Sequence, residues 1–183
     1  LGEFLSDDQI LVICQNGDFF TTNFDLSNHY EDNILIIEKF DSSKVWTAAL
    51  WDADQKYNYL KRFQLESSSR KQNFLGENTE SRLLLLTDEA YPRIEVIFGG
   101  HDSFRETLVL DAEEFISVKG FKAKGKRIST YEVETVNELE PVRFAQESKN
   151  ISETVEEDEE NLDDKSNTDI LDEITGQMKL FDE

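Results

Sequence analysis

No window of twelve residues in the first 146 carries a convincing 3.6-residue apolar period, whereas short apolar runs bounded by turn residues recur throughout. A chain that cannot present an amphipathic helix must build its core from strands, so an all-β fold is expected. Ile10-Leu11-Val12-Ile13-Cys14 and Phe19-Phe20-Thr21-Thr22 flank Asn16-Gly17. That dipeptide predicts a hairpin with a type I′ turn, which needs positive φ at both central positions. Ile34 to Ile37 and Val45 to Trp51 are further apolar runs, and a turn is expected at Asp52-Ala53-Asp54-Gln55. Lys56 to Leu65 alternates and reads as a half-buried strand. A polar loop is expected from Ser67 to about Ser81. Leu83 to Thr87 and Arg93 to Phe98 read as a second hairpin, and Glu106 to Leu110, Phe115 to Val118 and Ile128 to Val136 as later strands.

This pattern fits a sandwich, a barrel or a propeller. One weak repeat favours the propeller class: Lys61-Arg62 and Lys126-Arg127 lie 65 positions apart, each beside a strand. Blade repeats run roughly 40–50 residues before insertions.

Charge divides the chain. Residues 1–146 hold 26 acidic against 16 basic side chains, and residues 147–183 hold 14 against 3, within a formal net charge of -21. The first segment is long enough to bury a core without staples. Residues 147–169 are acidic and poor in apolar side chains, so they are expected to form a disordered linker. Apolar character returns in 170–183. The chain opens on Leu1-Gly2 without Met, which predicts an excised fragment.

Several chemistries find no support. His29 and His101 are isolated and the single Cys14 sits in an apolar run, so no metal set and no disulfide framework are expected. A lone cysteine fits a reducing cytosol. No 18-residue apolar run or signal peptide is present. Carboxylate pairs such as Asp52/Asp54 and Glu113-Glu114 fall at turns, where solvated side chains are the rule. No catalytic residue, metal or cofactor is therefore expected in this segment.

The exception to the acidic background is Lys119-Gly120-Phe121-Lys122-Ala123-Lys124-Gly125-Lys126-Arg127, five cations in nine residues. Two glycines let such a loop bend and bring its amides near a ligand. The cluster is read either as a phosphate-binding loop or as a solvated turn whose lysines balance nearby carboxylates.

The run Val118 to Ile128, with Thr130 to Glu140 after it, closely resembles the C-terminal part of topoisomerase IV and gyrase-type A subunits. Thr21 to His29, Tyr59 to Phe63, Arg70 to Gly76 and Phe98 to Arg105 look like the same branch. The likeness covers about 1–144. The Gln-, Arg- and Gly-rich gyrase box is absent, and 119–127 is its nearest analogue. The resemblance implies a β-pinwheel of four-stranded blades with DNA on its outer rim, residues 1–146 supplying the last two or three blades of a partial wheel. It implies a non-catalytic, DNA-wrapping domain of a cytoplasmic, nucleoid-associated enzyme. The parent family uses Mg2+ and ATP elsewhere and works with a topoisomerase B (ATPase) subunit. Its reactive tyrosine follows an arginine, and no Arg-Tyr pair occurs here.

On this reading Lys119, Lys122, Lys124, Lys126 and Arg127 are the first candidates for contacts with duplex DNA, and Lys61, Arg62, Arg70, Lys71 and Arg105 the second rank. A rival reading is an acidic protein-interaction module that mimics DNA or recruits a basic partner. The terminal Gln177-Met178-Lys179-Leu180-Phe181 resembles the Gln-x-x-Leu-Phe peptide that docks on the replication sliding clamp, with Gln177, Met178, Leu180 and Phe181 as its anchors.

Overall fold

The computed structural model describes residues 5–25 and 27–143. The expected features of 147–169 and 170–183, including Gln177, Met178, Leu180 and Phe181, lie outside those residues. Within them the chain is nearly all β, and its one α-helix, α1 (Ala112–Phe115), is four residues long.

Three sheets form. The first runs in the order β3 (Ile34–Lys39), β1 (Ile10–Cys14), β2 (Asp18–Thr22), β6 (Gln72–Asn73). The second is built on β4 (Val45–Asp52) and β5 (Tyr57–Gln64), with β7 (Arg82–Thr87) beside β4. Its far side, beyond β5, is shared by two short strands, β10 (Val118–Gly120) and β11 (Lys126–Arg127). The third sheet is β12 (Val133–Leu139), β8 (Arg93–Phe98), β9 (Leu108–Asp111). The sheets thus have four, five and three strands, and only the first has the strand number expected of a blade.

Alternation explains how they stack. On β4, Trp46, Ala48 and Leu50 join Tyr59 and Phe63 of β5 and meet Leu11, Ile13 and Phe19 of the first sheet. Ala49 and Leu60, on the opposite face, meet Ile94, Val96 and Phe98 of β8 and Val136 of β12. The second sheet is therefore the middle layer of three. Burying side chains such as Trp46, Phe19 and Phe63, each at most 1 % exposed, contributes about 1.5–3 kcal/mol apiece.

The middle position corrects the half-buried reading of β5, whose residues 58–63 are all buried. The supposed hairpin of 83–87 and 93–98 is also corrected. β7 pairs with β4, and β8 pairs with β9 and β12, so 88–92 carries the chain from one sheet to the next. Phe115 ends a helical turn instead of opening a strand, and the last strand begins at Val133, not Ile128.

The Asn16-Gly17 hairpin forms, but with a different turn. Gly17 has φ +81°, whereas Lys56 is the one described non-glycine residue with positive φ. The Gly17 amide donates to the Cys14 carbonyl at 3.0 Å. This is a three-residue loop closing on a left-handed glycine. A Cβ at Gly17 would lie 2.4 Å from Leu75 Cγ, so the loop 73–76 also needs glycine there. Cys14 is 1 % exposed, and burial pushes its thiol pKa up, as expected of an inert core thiol.

Candidate nucleic-acid interface

The basic loop leaves the middle sheet at β10 and returns at β11, so both of its ends are paired to β5. Val118, Lys119 and Gly120 run parallel to Arg62, Phe63 and Gln64, while Lys126 and Arg127 run antiparallel to Leu60 and Tyr59. Between them the Ala123 amide closes a turn on the Gly120 carbonyl at 2.9 Å.

Three devices hold the turn down. Phe121 is 5 % exposed and meets Phe19 edge-on, ring centroids 5.0 Å apart. Gly125 has φ +89°, and a Cβ there would lie 2.6 Å from the Leu60 carbonyl oxygen, so glycine alone permits this approach. Lys61 Nζ donates to the Phe121 carbonyl at 2.6 Å and to the Phe74 carbonyl at 2.7 Å. An aromatic wedge, a bare backbone and a buried ammonium thus fix a loop whose charged side chains all point outward. Lys119, Lys122, Lys124, Lys126 and Arg127 are exposed.

None of the five has a carboxylate within 4.0 Å among the described residues. Several of them lie instead over aromatic rings: Lys122 over Phe121, Lys124 over Tyr59, Lys126 over Phe115 at 4.1 Å and Arg127 over Tyr57 at 4.6 Å. Lys126 Nζ also donates to the Phe115 carbonyl at 3.2 Å. Ring contacts orient a cation without neutralising it. That arrangement disfavours the alternative in which the lysines balance nearby carboxylates.

The second-rank cations divide. Lys61 and Arg62 are 4 % and 7 % exposed, which removes both from any outer rim. Each faces one of the two layers that sandwich β5. Lys61 is the internal tether just described. Arg62 pairs across the strands with Thr47, and Arg62 Nε and Thr47 Oγ1 are buried without a hydrogen bond among the described residues. Arg70 is exposed, its amide and carbonyl both bonded to the Ser68 hydroxyl. Lys71 is ion-paired with Glu31 and lines a groove of about 870 Å³ with Lys122, Lys124, Asp18 and Glu77. Arg105 belongs to the third sheet's turn. Its guanidinium donates to Asp102 at 2.7 Å and lies 3.3 Å from the Tyr131 ring centre, and this contact holds the Asp102 carboxyl below its ordinary value.

Lys56 and Arg82 were not singled out from sequence. Both are exposed and lie over Trp51, at 5.2 and 4.9 Å from its ring centre. Strand pairing, not sequence proximity, brings them together, since Trp51 on β4 faces Arg82 on β7.

Burial pushes the Lys61 pKa down from 10.5 to about 8. The unfolded chain then binds more protons than the folded chain between about pH 8 and 10.5. This residue's contribution is therefore least favourable below pH 8 and gains as pH rises through that window. A neutral amine still donates both hydrogen bonds. We expect the unfolding free energy of the wild type minus that of Lys61→Met to rise between pH 7.5 and 10 in urea melts, by on the order of 2–3 kcal/mol. A difference flat in pH would mean the ammonium is solvated.

The profile of the topoisomerase C-terminal domain family, Bacteroidota, matches residues 1–140. The chain belongs to that family. The match spans all three sheets and the entire basic loop of this topoisomerase C-terminal domain. No curated protein matches it. Among its described residues no helix is long and apolar enough to cross a membrane, and no group of three or more His, Cys, Asp or Glu is placed to hold a metal ion.

Proposed function

We propose that this topoisomerase C-terminal domain binds duplex DNA along the exposed side of its middle sheet and holds the duplex for strand passage carried out elsewhere in a topoisomerase IV-type enzyme. The observation that carries this reading is the loop 119–127: five exposed cations without carboxylate partners among the described residues, fixed to β5, in a chain of net charge -21. Lys39, Lys44, Lys71, Arg105 and Arg143 each have a carboxylate within 4.0 Å. A cationic loop without carboxylate partners among the described residues of so acidic a protein is a surface suited to phosphates, whose condensed counterions are released on contact. Such contacts fix position without reading sequence. On this reading the three stacked sheets, of four, five and three strands, would be successive blades of a pinwheel, and the loop would lie on the rim of the middle one. The Mg2+- and ATP-dependent steps, and the B subunit, belong to the rest of such an enzyme.

The rival reading, an acidic module that recruits a basic protein, would place binding on carboxylate-rich surface away from 119–127. Titrating the chain with a 30-base-pair duplex at 50 and 200 mM salt separates the two. Binding that weakens steeply with salt supports the DNA reading. No binding at 50 mM would remove it.

A further inference from the structure

The strongest unassigned surface is the end of the middle sheet where β4 turns into β5. Trp51 stands there half-buried, with Lys56 above its ring and Arg82 from β7 against it. Arg127 lies over Tyr57 on the neighbouring strand. Trp51, Tyr57, Lys56, Arg82 and Tyr131 line a shallow groove of about 470 Å³. Glu132 and Glu134 line it too, yet no carboxylate among the described residues comes within 4.0 Å of Lys56, Arg82 or Arg127.

Lys56 carries a second signal. Its φ is +61°, a conformation that glycine adopts freely and a lysine only at a cost. The turn is well built around it: the Lys56 amide donates to the Asp52 carbonyl at 2.8 Å, and Asp52 Oδ1 accepts from the amides of Asp54 and Gln55. A turn otherwise so well satisfied keeps a strained residue at the one position where glycine would relax it, and that residue presents an unpaired charge.

We infer that Lys56 and Arg82, posted on Trp51, form a second phosphate-contact surface that continues the path of duplex DNA from Arg127 across the end of the middle sheet. This rests on the DNA reading of the basic loop. Arg127 on β11 pairs with Tyr59, Trp51 on β4 pairs with Asn58, and Arg82 on β7 pairs with Trp51, so the cations stand at one end of the sheet, one residue out of step and hence on its two faces. From β11 to β7 is three strand spacings, about 14 Å at roughly 4.8 Å each. The sheet then sets the distance between the two contacts, which a flexible basic tail cannot do.

The test compares the full chain with Lys56→Gly, with Lys56→Gly/Arg82→Gln, and with Lys122→Ala/Lys124→Ala/Lys126→Ala on one 30-base-pair duplex from 50 to 250 mM salt. The double variant is expected to bind tens of fold more weakly at 100 mM, with a log–log salt slope shallower by about 1.8, at roughly 0.9 per contact. Lys56→Gly alone should lose about 0.9 of slope while melting at the same temperature or higher, a pairing that a purely structural role for Lys56 would not give. If the loop variant loses affinity while Lys56→Gly and the double variant keep wild-type affinity and slope, the second surface is refuted and the DNA reading stands; a surface that serves an acidic protein gives this result. If no variant changes affinity or slope, both fall.

Discussion

Lys122→Ala/Lys124→Ala/Lys126→Ala is expected to weaken duplex binding by a few hundred-fold at 0.1 M salt. Three phosphate contacts at roughly 0.9 each remove about 2.7 from the log–log salt slope, which at 0.1 M corresponds to that loss. The substitutions should leave the fold intact. All three side chains are exposed, and among the described residues only Lys126 of the three makes a side-chain hydrogen bond, to the Phe115 carbonyl. Exposed cation–ring contacts contribute about 0.5–1 kcal/mol each, so a modest drop in melting temperature is tolerable. Fluorescence anisotropy across a salt series, with thermal melts as control, checks both halves. Wild-type affinity and slope in a folded triple variant would return the loop to an ordinary solvated turn.

Phe121→Ala separates the charges of the loop from its geometry. The ring fills a site shared with Phe19 and the buried face of β5, and truncating such a phenylalanine costs about 3–5 kcal/mol. A domain with an ordinary margin of about 5–15 kcal/mol survives this but sits near its limit. Every cation remains, yet the turn loses its wedge and the carbonyl that accepts the Lys61 hydrogen bond is no longer fixed. We expect urea melts to register the full loss, and duplex affinity to fall at low temperature, where the variant is folded. Phe121→Leu should recover most of both. An unchanged urea midpoint in Phe121→Ala would show that the ring is not buried in solution.

Much of this was legible in the residues. Turn-bounded apolar runs without helical period gave the all-β class, and the Asn16-Gly17 pair located the first hairpin. The cluster at 119–127 stood out because it packs five cations into nine residues of an otherwise acidic chain. Failures came where a third layer intervenes. Asn58 and Arg62 alternate with apolar neighbours as solvent-facing residues do, and nothing local announces that β8 and β12 cover that face. Lys61-Arg62 resembles Lys126-Arg127 as a dipeptide, but one pair lies in the middle strand of a sandwich and the other in a short outer strand. The type I′ turn failed because Asn16 keeps an ordinary φ and Gly17 alone carries the reversal. Lys56 and Arg82 were invisible because only the pairing of β4 with both β5 and β7 makes them neighbours.

The tether from Lys61 to the Phe121 carbonyl spans 60 residues of chain. The other strand beside β5, β4, precedes it in the chain, and β7 pairs with β4 soon after. Closing a long loop costs entropy that local pairing does not, and contacts of high sequence separation form slowly. As the chain emerges, β4, β5 and β7 can associate well before residues 118–127 exist. The cationic loop settles late, onto strands already paired, and its position depends on that pairing. A chain in which β4 and β5 have not paired thus has no platform for the basic loop, and its cations gain a fixed arrangement only when segments far apart in the sequence have met.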